Sequence, residues 1–287
     1  ALARGNSPSN PGGWSAPEVI GCFIVAGAAL AWFIVAELRN PAPLLQIRLL
    51  AERNFGISMA VLTLFAIGML GGTYLLPLYM QRGLGYTALA AGSMFLPVGV
   101  IQGVLSAVSG YLTRYVRPLL LSAAGILIMA LSFWLASRFT LHTTHGHILF
   151  ILYLRGFGMG LTFAPLNLFS LKNLTQQDMA AAAGISNSIK QLAGSIGIAL
   201  LTVIFSARTS YHAAHETVSA AQTYVEGVTD ALRVVAVITL AALLPLLGVF
   251  RKKRPGKSGV KGAATPSPGE AVSGKTDKTT IYRTKPE

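Results

Sequence analysis

The sequence predicts an all-α integral membrane fold of seven transmembrane helices. Three observations carry that prediction. Mean hydropathy is +0.58, and only 11% of the residues are charged, against about 25% in an average globular domain. Most of the charges fall outside long apolar runs. Seven such runs occur, near 18–36, 56–79, 88–111, 118–136, 148–171, 184–206 and 231–250. Each approaches or exceeds the roughly 20 residues that cross a hydrocarbon core. Segments of that length pair their backbone groups internally only as helices.

The first span stands apart from the other six. The stretch after it, residues 37–55, holds Pro41, Pro43 and the amphipathic piece "LLQIRLL". That piece reads either as a surface-lying turn or as a plain linker. Residues 56–250 read as one six-helix block that begins and ends on the same side. Residues 1–17 read as an external loop entered partway, without the basic start and apolar core of a signal peptide. The chain is therefore expected to be a fragment. Residues 251–287 are rich in Lys, Gly, Ser, Thr and Pro and are expected to form a disordered basic tail.

Orientation follows from the basic residues. Arg39, Arg48, Arg53, Arg114, Arg117 and Lys172 occupy the short loops of one side. Arg4, Arg82, Arg138 and Arg208 occupy the other, which gives six against four. The positive-inside rule assigns the first group, and with it the carboxyl end, to the cytoplasm. A multi-pass protein of a cell inner membrane is expected, with the lipid bilayer as a partner.

Composition also excludes function classes. A net charge of +13 would point to nucleic acid in a soluble chain, but here its placement points to a membrane surface, and no nucleic acid is expected. The single cysteine, Cys22, rules out a disulfide within the chain and cysteine-rich zinc sites. His142, His145 and His147 cluster without a neighbouring carboxylate or thiol, which reads as a polar loop. The glycines of "RGFGMG", residues 155–160, lack the strand–turn–helix context of a nucleotide loop and read as helix-packing positions. No enzyme, cofactor or metal is expected.

Polar residues are unevenly spread. The fourth and seventh spans are nearly apolar all round and suit lipid-facing, buttressing places. The second, third, fifth and sixth carry Thr73, Tyr74 and Tyr79; Gln102; Arg155 and Asn167; and Asn187, Lys190 and Gln191. Polar groups inside a membrane usually face a protein interior or a water-filled path, so these four spans are expected to surround one. Tyr74 and Tyr79 are candidates for stacking on an apolar substrate. At about 1.5 Å per residue, Arg155 and Lys190 are about 10 Å apart along the membrane normal, so they do not form one tight cationic site. Both read either as path-lining cations or as side chains snorkelling to the interface.

"ILYLRGFGMGLTFAPLN" followed by "AAAAGISNSIKQLAGSIGIAL" resembles the later part of drug:proton antiporters of the major facilitator superfamily, fourteen-helix branch. "NSIKQLAGSIG" is similar to that branch's N-x-x-[RK]-Q-L-G-G-S-[IV]-G pattern, with Ala193 where glycine is common. "PGGWSAPEVI" resembles the external loop before the branch's eighth helix. A cytoplasmic gate motif of the family, G-x-L-x-D-R-x-G-x-[RK], has a partial counterpart in "GYLTRYVRP". Gly110 and Leu112 match, Arg114 takes the acidic position, and Arg117 stands in the eroded remainder.

The resemblance implies one central inserted helix, residues 18–36, followed by the carboxyl-terminal six-helix bundle of a major facilitator fold. It implies alternating access driven by the proton as coupling ion. It also implies small amphipathic drugs or biocides as substrates, and a missing amino-terminal half of the same polypeptide as partner. The alternatives are an exporter of a siderophore or other metabolite, and a non-transporting remnant or partner subunit.

Overall fold

The computed structural model describes residues 17–39, 47–172, 174–176, 178–215 and 219–251. Among the described residues every regular element is helical and no strand occurs. Helix α1 spans Pro17–Arg39, and a 3₁₀ turn covers Ile47–Ala51. Helix α2, Arg53–Leu78, passes directly into a π-helical turn, Tyr79–Gly83. The next span is divided into α3, Ala88–Ser93, and α4, Leu96–Leu112. Then follow α5, Pro118–Ala136; α6, His145–Leu171; α7, Asp178–His215; α8, Ala220–Ala241; and α9, Leu243–Arg251.

Among the described residues six spans are long and apolar enough to cross a membrane: Arg53–Gly83, Ala88–Leu112, Pro118–Ala136, His145–Leu171, Asp178–Ala214 and Ala220–Gly248. With α1 they make up the expected all-α fold of a six-helix bundle plus a linker helix. The chain divides into Ala1–Lys252 and Lys253–Glu287. The second unit lies outside the described residues, as do the expected external loop up to residue 16 and the expected tail beyond Arg251. Of "LLQIRLL", Ile47–Leu50 are described. Leu49 is buried, and the turn packs against the start of α2.

Local chemistry explains the interruptions. Pro77 sits inside α2 and offers no N–H to the carbonyl four residues back. The helix widens just beyond it, where Leu84 N donates to the Tyr79 carbonyl at 3.2 Å, an i→i+5 bond. Gly85 then adopts φ +74°, which costs a glycine little. Thr87 caps α3 by accepting from Ala90 N at 3.2 Å. Pro97 and Pro118 stand at the starts of α4 and α5, where a missing N–H leaves no bond unmade.

Packing is by close backbone approach. Helix α6 lies against α5, α4 and α2, while α2 also lies against α7 and α8. A Cβ on Gly158 would come within 2.8 Å of Met129 N and 2.9 Å of the Gly125 carbonyl of α5. About half a turn either way, Gly156 and Gly160 face α4 instead, where added Cβ atoms would meet Val98 at 3.1 Å and Leu105 at 2.6 Å. Ser109 Oγ donates to the Gly160 carbonyl at 2.9 Å across the same contact. The glycine-packing reading of "RGFGMG" therefore has a specific form, with alternate glycines serving two neighbours. On the other side of the bundle, Gly197 of α7 meets the Ile67 backbone of α2, at 2.7 Å from its carbonyl for an added Cβ. Swapping the first three spans for the last three maps the α4–α6 contact onto α7–α2 and α5–α6 onto α8–α2.

The sixth and seventh apolar runs are shorter than their helices. Residues 184–206 become Asp178–His215, and 231–250 begins eleven residues earlier, at Ala220. The reason is charge pairing between the two extensions. His212 Nε2 lies 3.1 Å from Asp230 Oδ2, and its Nδ1 lies 3.6 Å from Glu226 Oε2. Arg233 donates to Asp230 Oδ1 at 2.7 Å, and Arg208 Nε lies 3.9 Å from Oδ2. Apolar-run reading stops at such residues, but paired they extend both helices.

Gly158→Ala should destabilise the chain by about 1–3 kcal/mol, because the added methyl meets backbone rather than a mobile side chain. Gly99→Ala, in open space, should stay within about 0.5 kcal/mol. Thermal midpoints in detergent distinguish the two. Asp230→Asn should raise amide exchange on the order of tenfold at the paired ends of α7 and α8 and leave α5 unchanged, as read by hydrogen–deuterium exchange mass spectrometry.

Candidate functional site

The site is organised by α6. Because Gly156 and Gly158 bring α4 and α5 close, the side chain between them and α2 is almost wholly enclosed. Arg155 fills that place and is 3% exposed. Its Nη2 donates to the Met69 carbonyl of α2 at 3.0 Å and to Thr73 Oγ1. Thr73 Oγ1 in turn donates to the same Met69 carbonyl at 2.7 Å. The guanidinium carbon sits 5.6 Å from the centre of the Phe133 ring, within the range of cation–π attraction. Phe133 reaches this position because Gly72 leaves room, as an added Cβ would lie 2.1 Å from the ring. Nε finds no acceptor among the described residues. Arg155 thus joins α6, α2 and α5, with one edge turned toward the exposed Thr73.

Helices α4 and α7 form the open side. In their most apolar windows 17% and 22% of residues are buried, against 61% for α2. On α7 the exposed stripe runs through Asn187, Ser188, Gln191, Leu192, Ser195 and Ile196. Its opposite face is fixed by Gly194, against Leu70, and by Gly197. Lys190 is half-buried at the edge between these faces. Among the described residues nothing donates to it, accepts from it or pairs with it. Ala193, standing where the resembled pattern often has glycine, is 3% exposed.

The remaining candidates fall in different places. Tyr74 is exposed beside Thr73, and Gln102 is half-buried on α4. Asn167 is exposed near the end of α6. Tyr79 is a correction. It is fully buried, its ring stacked on Phe139 at 4.9 Å and its hydroxyl donating to the Thr140 carbonyl at 2.7 Å. A ring so enclosed fixes the end of α2 to the α5–α6 loop and is not presented to a substrate. The two expected buttressing spans keep exposed apolar faces, at Leu127, Leu131 and Trp134 and at Val237 and Leu240. Half of the Pro118–Ala136 window is buried, because α5 has the most extensive contact with α6.

The gate-motif remnant lies at the turn between α4 and α5. Gly110 is half-buried near Ala164 of α6, at 3.9 Å for an added Cβ, and Leu112 ends α4. Arg114 is exposed and lies 5.4 Å from the Tyr111 ring, while Arg117 precedes the first turn of α5. Neither arginine pairs with a carboxylate among the described residues.

Sequence reading missed two things. Residue type groups Thr73 with Tyr74, yet Thr73 is the partner that receives Arg155, through its hydroxyl. It also missed the His212, Glu226 and Asp230 constellation, of which Glu226 and Asp230 fall at i and i+4 on one helix face. Among the described residues no group of three His, Cys, Asp or Glu has the disposition of a metal site.

Comparison with known proteins adds the family. The model described as Major Facilitator Superfamily matches residues 9–198. The chain is 30% identical over 212 residues to an uncharacterized MFS-type transporter, YhcA, of Bacillus subtilis, covering 74% of this chain and 40% of that protein. It is 32% identical over 207 residues to the multidrug export protein EmrB of Escherichia coli K12, covering 72% and 40%. It is 30% identical over 195 residues to the fatty acid resistance protein FarB of Neisseria gonorrhoeae, covering 68% and 38%. Each match spans about two fifths of the relative's length. The helical bundle, its apolar spans and the family match agree, and the chain belongs to the Major Facilitator Superfamily, a family of membrane transporters and not of enzymes.

Proposed function

We propose that this chain is the carboxyl-terminal half of a fourteen-helix, proton-coupled secondary exporter of amphipathic compounds. The observation that carries this reading is the open side of α4 and α7, whose stripe mixes Asn187, Gln191 and Ser195 with Leu192 and Ile196. Such a surface suits a second bundle and a polar route between the two. Alternating access then consists of one bundle rocking against the other, with the amino-terminal half supplied by the same polypeptide. Loop charge supports an inner-membrane location with the carboxyl end in the cytoplasm. On this reading Arg155, Lys190, Asn187, Gln191, Gln102, Asn167 and Tyr74 line or shape the path. Arg155 acts by holding Thr73 and α2 in place, and the turn at Gly110, Leu112, Arg114 and Arg117 keeps a relaxed form of the cytoplasmic gate. Drugs and biocides fit as substrates because similar proteins carry names such as multidrug export protein and lincomycin resistance protein.

A second reading is favoured by charge. The spans of α2, α4 and α6 contain three basic residues, Arg53, Arg82 and Arg155, and no acidic ones, and α7 contributes Lys190 and Arg208 with Asp178 only at its start. An unpaired ammonium beside an apolar stripe favours an amphiphile bearing a carboxylate over a cationic dye. One similar protein is named for fatty acid resistance, and an anionic metabolite would fit as well.

The test uses the complete polypeptide that contains this chain, in cells lacking other exporters. Lys190→Ala should lower export of an anionic amphiphile about tenfold, the equivalent of about 1.4 kcal/mol, and Lys190→Arg should retain most of it. Full activity of both variants at matched expression shows that Lys190 only reaches for the interface. Unchanged susceptibility to cationic and anionic amphiphiles alike, with expression confirmed, rejects both substrate classes.

A further inference from the structure

An apolar groove of about 290 Å³ runs along the outside of the bundle between α5 and α8. Its walls are Leu127, Leu131 and Trp134 of α5 and Val237 and Leu240 of α8, with two alanines between them. The wall residues are about half exposed, whereas the alanines are buried, so the groove exists because small side chains lie between large ones. On α5 the wall follows i, i+4, i+7 spacing, one face of a helix. On α8 Val237 and Leu240 continue a stripe that starts at Arg233. Helices α5 and α8 are three crossings apart and run in opposite directions. The end of α5 and the first part of α8 therefore lie at the same end of the bundle, where Phe139–His142 share a second cavity with Gln222, Val225 and Glu226.

Two arginines stand at that end of the groove. Arg138 follows Trp134 by four residues, and its backbone N–H donates to the Leu135 carbonyl at 3.0 Å, so the helical turn carries it onto the same face. Its side chain has no partner among the described residues. Arg233 precedes Val237 by four residues, and its side chain is 57% exposed. It gives one bond to Asp230 and keeps other N–H groups free of that bond. From Leu127 to Trp134 the groove extends about 10 Å along α5, against about 15 Å for one leaflet of a 30 Å core. The apolar part thus lies at acyl-chain depth, and the arginines lie toward the headgroups.

We propose that this groove is a binding site for an anionic phospholipid, with one acyl chain between α5 and α8 and the phosphate held by Arg138 and Arg233. The side chains and the ligand are matched part for part. A guanidinium binds two phosphate oxygens in parallel, and an acyl tail fills a wall of leucine, valine and tryptophan without leaving a polar group unpaired. Arg233 also carries the effect inward, because its bond to Asp230 links the headgroup to the contact of α8 with α7. The bilayer supplies the ligand at high local concentration, so the site needs no entry path through the bundle.

The test uses the complete polypeptide in neutral detergent, with equal amounts of phosphatidylglycerol and phosphatidylcholine of matched chains, read by native mass spectrometry. Phosphatidylglycerol should be retained several-fold over phosphatidylcholine. Arg138→Gln, outside the regular helix and free of protein partners among the described residues, should remove most of that preference without changing helix content. Val237→Trp, which fills the groove, should lower retention of both lipids. Equal retention of the two lipids by the unaltered protein overturns the proposal, as does a preference that survives Arg138→Gln combined with Arg233→Gln. A dimer that Val237→Trp dissociates while lipid retention stays constant also overturns it, and assigns the groove to a second copy.

Discussion

Inside a bilayer an apolar side chain gains nothing by leaving lipid for another apolar side chain, so helices adhere where their backbones come close. The contact between Gly125 and Gly158 is the main instance here. It lets α5 and α6 touch without intervening side chains. It sets the depth of α6 beside α2 and leaves the position of Arg155 sealed on every side but one. The hydrogen bonds of that guanidinium to α2 follow from the crossing, and so does the place of Phe133 beneath it. On the other side of the bundle Gly194 and Gly197 play the same part for α7 and set the edge on which Lys190 stands. A bundle fixed at two such crossings is firm in the middle and open along α4 and α7.

Most of the architecture was legible from hydropathy, because a hydrocarbon core imposes length and polarity on every span. The span Pro118–Ala136 agrees with its apolar run to the residue. Legibility failed where charge and helix coincide. Arg208, His212, Glu226 and Asp230 end an apolar run, yet they pair between neighbouring helices and extend both. Residue type alone did not separate Tyr74 from Tyr79. The two lie five residues apart, so they point in different directions around the helix, and one ring is exposed while the other is sealed against Phe139. Arg155 was identifiable as an unusual cation, but its partners were not, since Met69 contributes only a backbone carbonyl.

The polar row on α7 and the buried guanidinium on α6 serve different ends. Asn187 and Gln191 are exposed and able to meet a ligand or a second bundle. Arg155 spends its donors inside the bundle and reaches the open side only through Thr73. A change at Arg155 therefore acts first on helix arrangement, and a change at Lys190 first on local charge. This division matches the difference in their burial.

The paired charges between α7 and α8 have a mechanical consequence. Helix α7 has 38 residues, which is about 57 Å of helix against a core of about 30 Å. Tilt accommodates part of the excess, and the remainder stands clear of the lipid. At the His212 end this overhang is a braced two-helix post rather than a slack loop, because Asp230 ties it at several points. Such a post moves as one with the membrane-embedded part of α7, so a rotation of that helix is delivered undiminished to the water phase. A spectroscopic label placed on the post would report the motion of the bundle from outside the bilayer.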